Sequence, residues 1–111
     1  HGLNIEVKGN QSIYNVEVLY GKEVIRFKNI YNPGGGSGWN APMLIPDKMT
    51  VRWSVYGQER EVVVNLAGKT APTNRLARWR LRFFGEKLEV WRDDDDPGSQ
   101  YYFKPAVQVY P

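Results

Sequence analysis

Cysteine is absent from this 111-residue chain, and its one histidine stands at the first position. Without cysteine, neither disulfides nor thiolate metal sites can stabilise the fold. Zinc or copper binding and a Ser-His-Asp triad would all depend on His1. The chain opens there without methionine or signal peptide, which is expected of a trimmed mature form or a tag remnant. We therefore expect no metal, no cofactor and no enzymatic activity.

Long apolar runs and helical periodicity are also missing. No segment approaches the ~20 apolar residues of a membrane-spanning helix, and no stretch keeps the 3.6-residue apolar period of an amphipathic helix. The net charge of +3 is mild, far from the dense positive field of a dedicated nucleic-acid-binding protein. We expect one domain over residues 1–111, with a modest core and no nucleic-acid partner.

Turn-forming residues are abundant, with 11 glycines and 7 prolines. Three similar strings, YGKE (residues 20–23), YGQE (residues 56–59) and FGEK (residues 84–87), each lie between segments rich in aliphatic and aromatic residues. Glycine followed by a polar residue is typical of a two-residue type II′ hairpin turn. The sequence therefore predicts three Gly-X hairpins.

Pairing residues outward from each turn separates apolar from polar side chains. In the third hairpin Phe83 lies opposite Leu88, whereas Arg82 lies opposite Glu89 on the other face. Such alternation is what a sheet with one buried face requires. The pairs predicted for the first two hairpins are Val16 and Phe27, Glu17 and Arg26, Val18 and Ile25, Val51 and Val64, Trp53 and Val62, and Ser54 and Glu61.

Two further strands are predicted at residues 4–8 and 106–110, and residues 67–74 are expected to form a loop that crosses between hairpins. The total is about eight strands with little helix. The predicted fold is all-β, as an antiparallel β-sandwich or a partly open barrel.

The string YNPGGGSGWNAP (residues 31–42) is costly to order, because glycine loses more backbone freedom on folding than any other residue. No helix follows it, which argues against a phosphate-binding loop. One interpretation is a flexible connection. The other is a loop anchored through Leu44 or Ile45, because flexible linkers seldom carry a tryptophan and an apolar triplet. We favour the anchored loop, and predict partner contacts at Gly34, Gly35, Gly36, Ser37, Gly38, Trp39 and Asn40.

An acidic string, DDDDPG, covers residues 93–98. It is typical of a solvated turn, with a contact for a basic partner and a calcium site as alternatives. For the protein-binding interpretation we add Asp93, Asp94, Asp95, Asp96 and Tyr101 to the predicted partner-binding residues.

Arginines alternate along the third hairpin at Arg78, Arg80 and Arg82. The predicted register puts Glu89 opposite Arg82 and Trp91 opposite Arg80, as a cross-strand ion pair and a cation–π contact. A solvated structural face is therefore favoured over a protein-binding or nucleic-acid-binding face.

The order of several motifs resembles a family of small Gram-negative lipoproteins encoded beside type VI secretion effectors. The matching pieces are GNQSIYNVEV (residues 9–18), GGGSG (residues 34–38), APMLIPDKMTVRW (residues 41–53) and PAVQVYP (residues 105–111). The resemblance implies a periplasmic immunity protein, tethered by a lipid on a cysteine outside this chain. Its partner would be a cognate toxic effector, with phospholipases the expected class.

Two other functions stay open. Trp39 and Trp91, which the hairpin registers leave exposed, would suit a carbohydrate-binding β-sandwich, whereas Trp53 and Trp79 are predicted to be buried. Open strand edges would suit a structural subunit of an envelope or secretion assembly.

Overall fold

The structure is a computed structural model that describes residues 2–40, 45–69, 77–94 and 107–111, with only the backbone at positions 77 and 94. Most of the strands form in segments rich in β-branched and aromatic residues, and these ranges contain no helix. The strands are β1 (Gly2–Lys8), β2 (Tyr14–Tyr20), β3 (Glu23–Phe27), β4 (Gly36–Asn40), β5 (Lys48–Val55), β6 (Gln58–Asn65), β7 (Ala77–Phe84), β8 (Lys87–Asp94) and β9 (Val107–Tyr110).

These strands form two sheets, with the orders β4-β1-β7-β8-β9 and β3-β2-β5-β6. The sheets do not close into a barrel, so the predicted β-sandwich is confirmed. The count exceeds the predicted eight because the glycine-rich string contributes β4, a strand that its composition disfavours.

One strand pair departs from the predicted antiparallel arrangement. β1 and β7 run parallel, with Leu3 beside Trp79 and Ile5 beside Leu81. Parallel neighbours need a long crossover connection, and the whole four-stranded sheet lies between β1 and β7 in the sequence. Hairpin signals pair only strands that are close in sequence, so they gave no sign of this pair.

The registers of the first and third hairpins are confirmed, including Val18 opposite Ile25 and Phe83 opposite Leu88. The predicted register of the second hairpin is wrong by two residues, because Trp53 lies opposite Arg60 rather than Val62. The turn there consists of Tyr56 and Gly57, with φ values of 52° and 74°. Two central residues with positive φ define a type I′ turn.

The other pairs predicted for the second hairpin are wrong by the same two residues. Val51 lies opposite Val62, Met49 opposite Val64, Ser54 opposite Glu59 and Arg52 opposite Glu61. A two-residue shift keeps every side chain on its original face. The apolar face of the hairpin is therefore the one predicted.

Trp53 and Trp79 are buried between the sheets, at 1% and 0% exposure, as predicted. The Trp53 ring meets the Phe83 ring edge-on, with 5.2 Å between their centroids. Its indole Nε1 donates to the Gly85 carbonyl at 2.8 Å, in the turn between β7 and β8. Buried indoles are stable when their N–H finds such a partner, so Trp53 joins the two sheets by packing and by a hydrogen bond.

The connections are described only in part. Ile45 packs against the core, which confirms one of the two predicted anchors of the glycine-rich string; Leu44 lies outside the described residues. Of the predicted crossing loop, residues 67–69 are described. They begin on a turn in which the Leu66 and Ala67 amides both donate to the Asp47 carbonyl, at 2.7 and 3.0 Å.

Candidate functional site

The glycine-rich string is held by backbone hydrogen bonds before β4 begins. Tyr31 and Ile13 exchange two of them, at 2.9 and 3.0 Å. Farther along, the Gly34 amide donates to the Val7 carbonyl at 2.9 Å, and the Val7 amide donates to the Gly35 carbonyl at 3.0 Å. Two residues thus lie opposite one, as in a β-bulge. The string is therefore an ordered part of the five-stranded sheet.

Glycine is required at two of these positions for different reasons. Gly34 has a φ of +86°, which residues with a side chain rarely adopt. A Cβ at Gly36 would overlap the backbone carbonyl oxygen of Ile5. These glycines therefore permit the bulge at Val7 and the close approach of β4 to β1.

β4 is an edge strand whose outer side has no paired strand among the described residues. Opposite it, Ile5 pairs with Ser37 and Leu3 with Trp39. Hydrogen-bonded and non-hydrogen-bonded pairs alternate along an antiparallel ladder. Val7 bonds to the glycine-rich string through its own N–H and C=O, so Ile5 and Leu3, two and four residues before it, face β4 in the same way. Their partners Ser37 and Trp39 therefore direct their backbone N–H and C=O groups toward β1. The backbone N–H and C=O groups of Gly36, Gly38 and Asn40 point away from β1, toward the open edge of the sheet.

The other strand edges in the described part of the chain are protected. Natural sheets shield their edges with charged side chains, short strands or proline. β3 carries Glu23 and Arg26, and β6 carries three consecutive charges. β9 has only four residues, and the Lys69 ammonium donates to its Val109 carbonyl at 3.0 Å. β4, with the sequence GSGWN, contains neither a charge nor a proline.

Trp39 lies on the inner side of β4 and is partly buried against the core. Its ring meets the Tyr20 ring edge-on, with 6.1 Å between centroids. The Tyr20 hydroxyl accepts a hydrogen bond from the Trp79 indole at 2.9 Å. Burial raises the pKa of Tyr20 to about 12, and this hydrogen bond opposes part of the shift. Trp39 and Trp91, which were both predicted to be exposed, are each only partly exposed, and the Trp39 ring anchors β4 on the core.

The acidic string is only partly described. Asp93 lies in β8, and its carboxylate accepts two hydrogen bonds from the Arg80 guanidinium, at 2.6 and 2.9 Å. Asp94 is the last residue of β8; Asp95, Asp96 and Tyr101 lie outside the described residues. The interpretation of Asp93 as part of a solvated turn is wrong, because bidentate pairing in the sheet occupies its carboxylate.

The arginine face of β7 pairs differently from the prediction. The Arg82 guanidinium lies 3.4 Å from the carboxylate of Glu6 on β1, rather than pairing with Glu89. Arg82, and not Arg80, lies over the Trp91 ring, at 6.0 Å from its centroid. Trp91 donates its indole N–H to Glu89 at 2.8 Å. The predicted register of this hairpin was right, but the side chains reach diagonally and across to the parallel neighbour.

The four-stranded sheet carries a second charged feature, of which the sequence predicted only the pair of Glu17 with Arg26. Four side chains of alternating sign cross its outer face, and we call them the charged row: Arg26, Glu17, Arg52 and Glu61. Neighbouring members approach to 3.1, 3.2 and 2.7 Å. Hydrogen bonding and charge from Glu61 raise the pKa of Arg52 above its usual value. A shallow depression of about 570 Å³ lies beside the row.

The described residues contain no group of three or more acidic, histidine or cysteine side chains placed to hold a metal ion. They also contain no helix long and apolar enough to cross a bilayer. No family model, curated protein or solved structure matches the chain. The candidate site therefore rests on its own geometry, and that geometry is clearest at the outer edge of β4.

Proposed function

We propose that this chain is a protein-binding module whose partner adds an extended segment to the open edge of β4. The observation that carries the proposal is that β4 is an ordered edge strand without charge or proline. In strand addition, main-chain hydrogen bonds provide affinity. By the alternation of the β1–β4 ladder, Gly36 and Gly38 direct their N–H and C=O groups outward, where an incoming strand can bond to them.

The sequence resemblance suggests the class of partner. We propose that the partner is a toxic type VI secretion effector, with phospholipases as the expected class, and that the chain is its periplasmic, lipid-tethered immunity protein. A strand added at β4 would block the effector's active site or its access to the membrane. A rigid sandwich supports this role, because binding then orders few residues and costs little conformational entropy.

No contact among the described residues favours the carbohydrate alternative. Trp39 packs against Tyr20, and the guanidinium of Arg82 lies over the Trp91 ring. Sugar stacking needs an open aromatic face, and these contacts already cover part of the Trp39 and Trp91 rings.

A lysine in place of Ser37 should weaken partner binding without unfolding the protein. Ser37 is exposed and points to the inner side of β4, and an inward-pointing charge on an edge strand opposes strand addition. We expect Ser37→Lys to weaken binding at least tenfold, or about 1.4 kcal/mol. Ser37→Ala, which leaves the backbone edge unchanged, should bind as the wild type does.

The measurement is affinity capture on three matched columns carrying the wild type, Ser37→Ala and Ser37→Lys. Periplasmic and secreted proteins of the source bacterium are passed over each, and the retained protein is then tested for toxicity with and without this chain. We expect one toxin on the first two columns only. Equal retention on all three would contradict the β4 site, and the absence of any specifically retained protein would contradict the protein-binding function.

A further inference from the structure

The outer face of the four-stranded sheet carries two parallel rows of side chains. The first is the charged row. The second, which we call the apolar row, lies two residues along each strand and consists of Val24, Leu19, Thr50 and Val63. Its two valines are unusually exposed, at 48% and 56%. This face belongs to the sheet that does not contain β4, so a partner bound at β4 leaves it open.

The order of charges across the sheet is antisymmetric. From β3 to β6 the signs are plus, minus, plus and minus. A twofold axis parallel to the strands, between β2 and β5, reverses this order in a second copy and keeps the position along the strands. Arg26 then faces Glu61 of the second copy, and Glu17 faces Arg52 of the second copy. Every contact along the row joins opposite signs.

The same rotation brings the two apolar rows together. Val24 faces Val63 of the second copy, and Leu19 faces Thr50 of the second copy. Strands of the two copies stay nearly aligned, which is a preferred geometry of sheet-on-sheet packing. A twofold axis along the charged row would instead place each charged residue opposite the same residue of the second copy, so that like charges meet. The charge pattern therefore selects one of these two symmetric arrangements.

The size of the face determines how stable such a dimer can be. Four strands about 4.8 Å apart, with six residues rising about 3.4 Å each, cover about 400 Å² per copy. The total, about 800 Å², belongs to the class of weak or transient interfaces. Symmetric twofold dimers are the commonest protein oligomers. We propose that the protein forms a weak, symmetric dimer through the outer face of its four-stranded sheet.

The decisive test uses two residues that do not meet within one chain. Arg26 and Glu61 lie on opposite edge strands of the sheet and are both exposed, with side-chain exposures of 66% and 52%. Arg26→Glu alone, or Glu61→Arg alone, puts like charges opposite each other twice in every dimer. We expect each single variant to self-associate at least about tenfold more weakly than the wild type.

An equimolar mixture of the two single variants should associate again. In that mixed pair both contacts join opposite signs, although each chain alone repels its own copy. No effect within one chain can explain recovery on mixing. Lys87→Glu, a charge reversal on the exposed face of the other sheet, serves as the matched control and should leave the wild-type equilibrium unchanged.

The measurement is sedimentation velocity from about 10 µM to about 1 mM, the range in which weak dimers form. The wild type should move from monomer to dimer, and added salt should weaken the dimer because it screens exposed charges. A wild type that stays monomeric throughout would overturn the proposal. A mixture that associates no better than its components would overturn the proposed twofold arrangement.

Discussion

Replacing Trp53 with alanine is expected to lower the free energy of unfolding by about 3–5 kcal/mol. Trp53 is 1% exposed, packs edge-on against Phe83 of the facing sheet and donates a hydrogen bond to the Gly85 carbonyl. Alanine would leave a cavity between the sheets, because the two layers cannot move together without disturbing their other contacts. Urea denaturation at 25 °C, with a fixed m-value, measures the loss.

Trp91→Ala is the matched control for this substitution. Trp91 lies on the outer face of the five-stranded sheet, where it is partly exposed and meets Arg82. Its removal creates no internal cavity, so we expect less than half the loss seen for Trp53. Equal losses in the two variants would contradict the assignment of Trp53 as a buried contact between the sheets.

Gly36→Ala is expected to destabilise the protein by about 1–3 kcal/mol, the usual cost of overpacking. The new Cβ would overlap the carbonyl oxygen of Ile5, and that oxygen belongs to the backbone of β1, which cannot turn aside. β4 must then separate from β1. Binding of the partner to the β4 edge should be lost together with the stability.

Gly38→Ala separates this steric effect from loss of a glycine in general. Its Cβ would meet the Asn4 side-chain oxygen at 2.9 Å, and a side chain can rotate away. We expect at most about 1 kcal/mol, the cost of small adjustments. Urea denaturation and affinity capture would both be measured for each variant. A Gly36→Ala protein as stable as Gly38→Ala would contradict the close contact between β4 and β1.

The sequence predicted those hairpin registers that the turn residues determine locally. Two of the three hairpin registers follow from a glycine at the first turn position, as at Gly21 and Gly85, both with positive φ. The second hairpin could not be placed in the same way, because Tyr56 adopts a positive φ that is rare for a residue with a side chain. Alternation could not correct it, since a two-residue shift leaves both faces unchanged.

Long-range pairing was not predictable from the same signals. The parallel partner of β1 lies about 76 positions farther along the chain, and no turn motif links the two strands. β4 was missed because glycine and asparagine have low strand propensity. Its strand conformation depends on β1, which provides the ladder to which it bonds. The glycine-rich string was correctly predicted to be anchored, since Ile45 packs against the core, but the strand that it forms was not predicted.

The charged surfaces also show that local features were predictable from the sequence, whereas contacts between strands were not. The charged row depends on Arg52 lying opposite Glu61, and the predicted register put Ser54 there instead. Asp93 was grouped with the acidic string that follows it, although the strand continues through it and Arg80 binds its carboxylate. In both cases the sequence identified the charged residues, but which residues they contact depends on how the strands pair.

Amide hydrogen exchange along β4 in the free protein measures whether this strand is ordered and whether its outer edge is open. If β4 is an ordered strand with an open edge, the amides of Ser37 and Trp39 should exchange slowly because they donate to β1. Those of Gly36, Gly38 and Asn40 should exchange rapidly, and should become protected when the partner binds. Rapid exchange at all five amides would show a loop that does not form a strand. Slow exchange at all five would show that another segment already covers the edge.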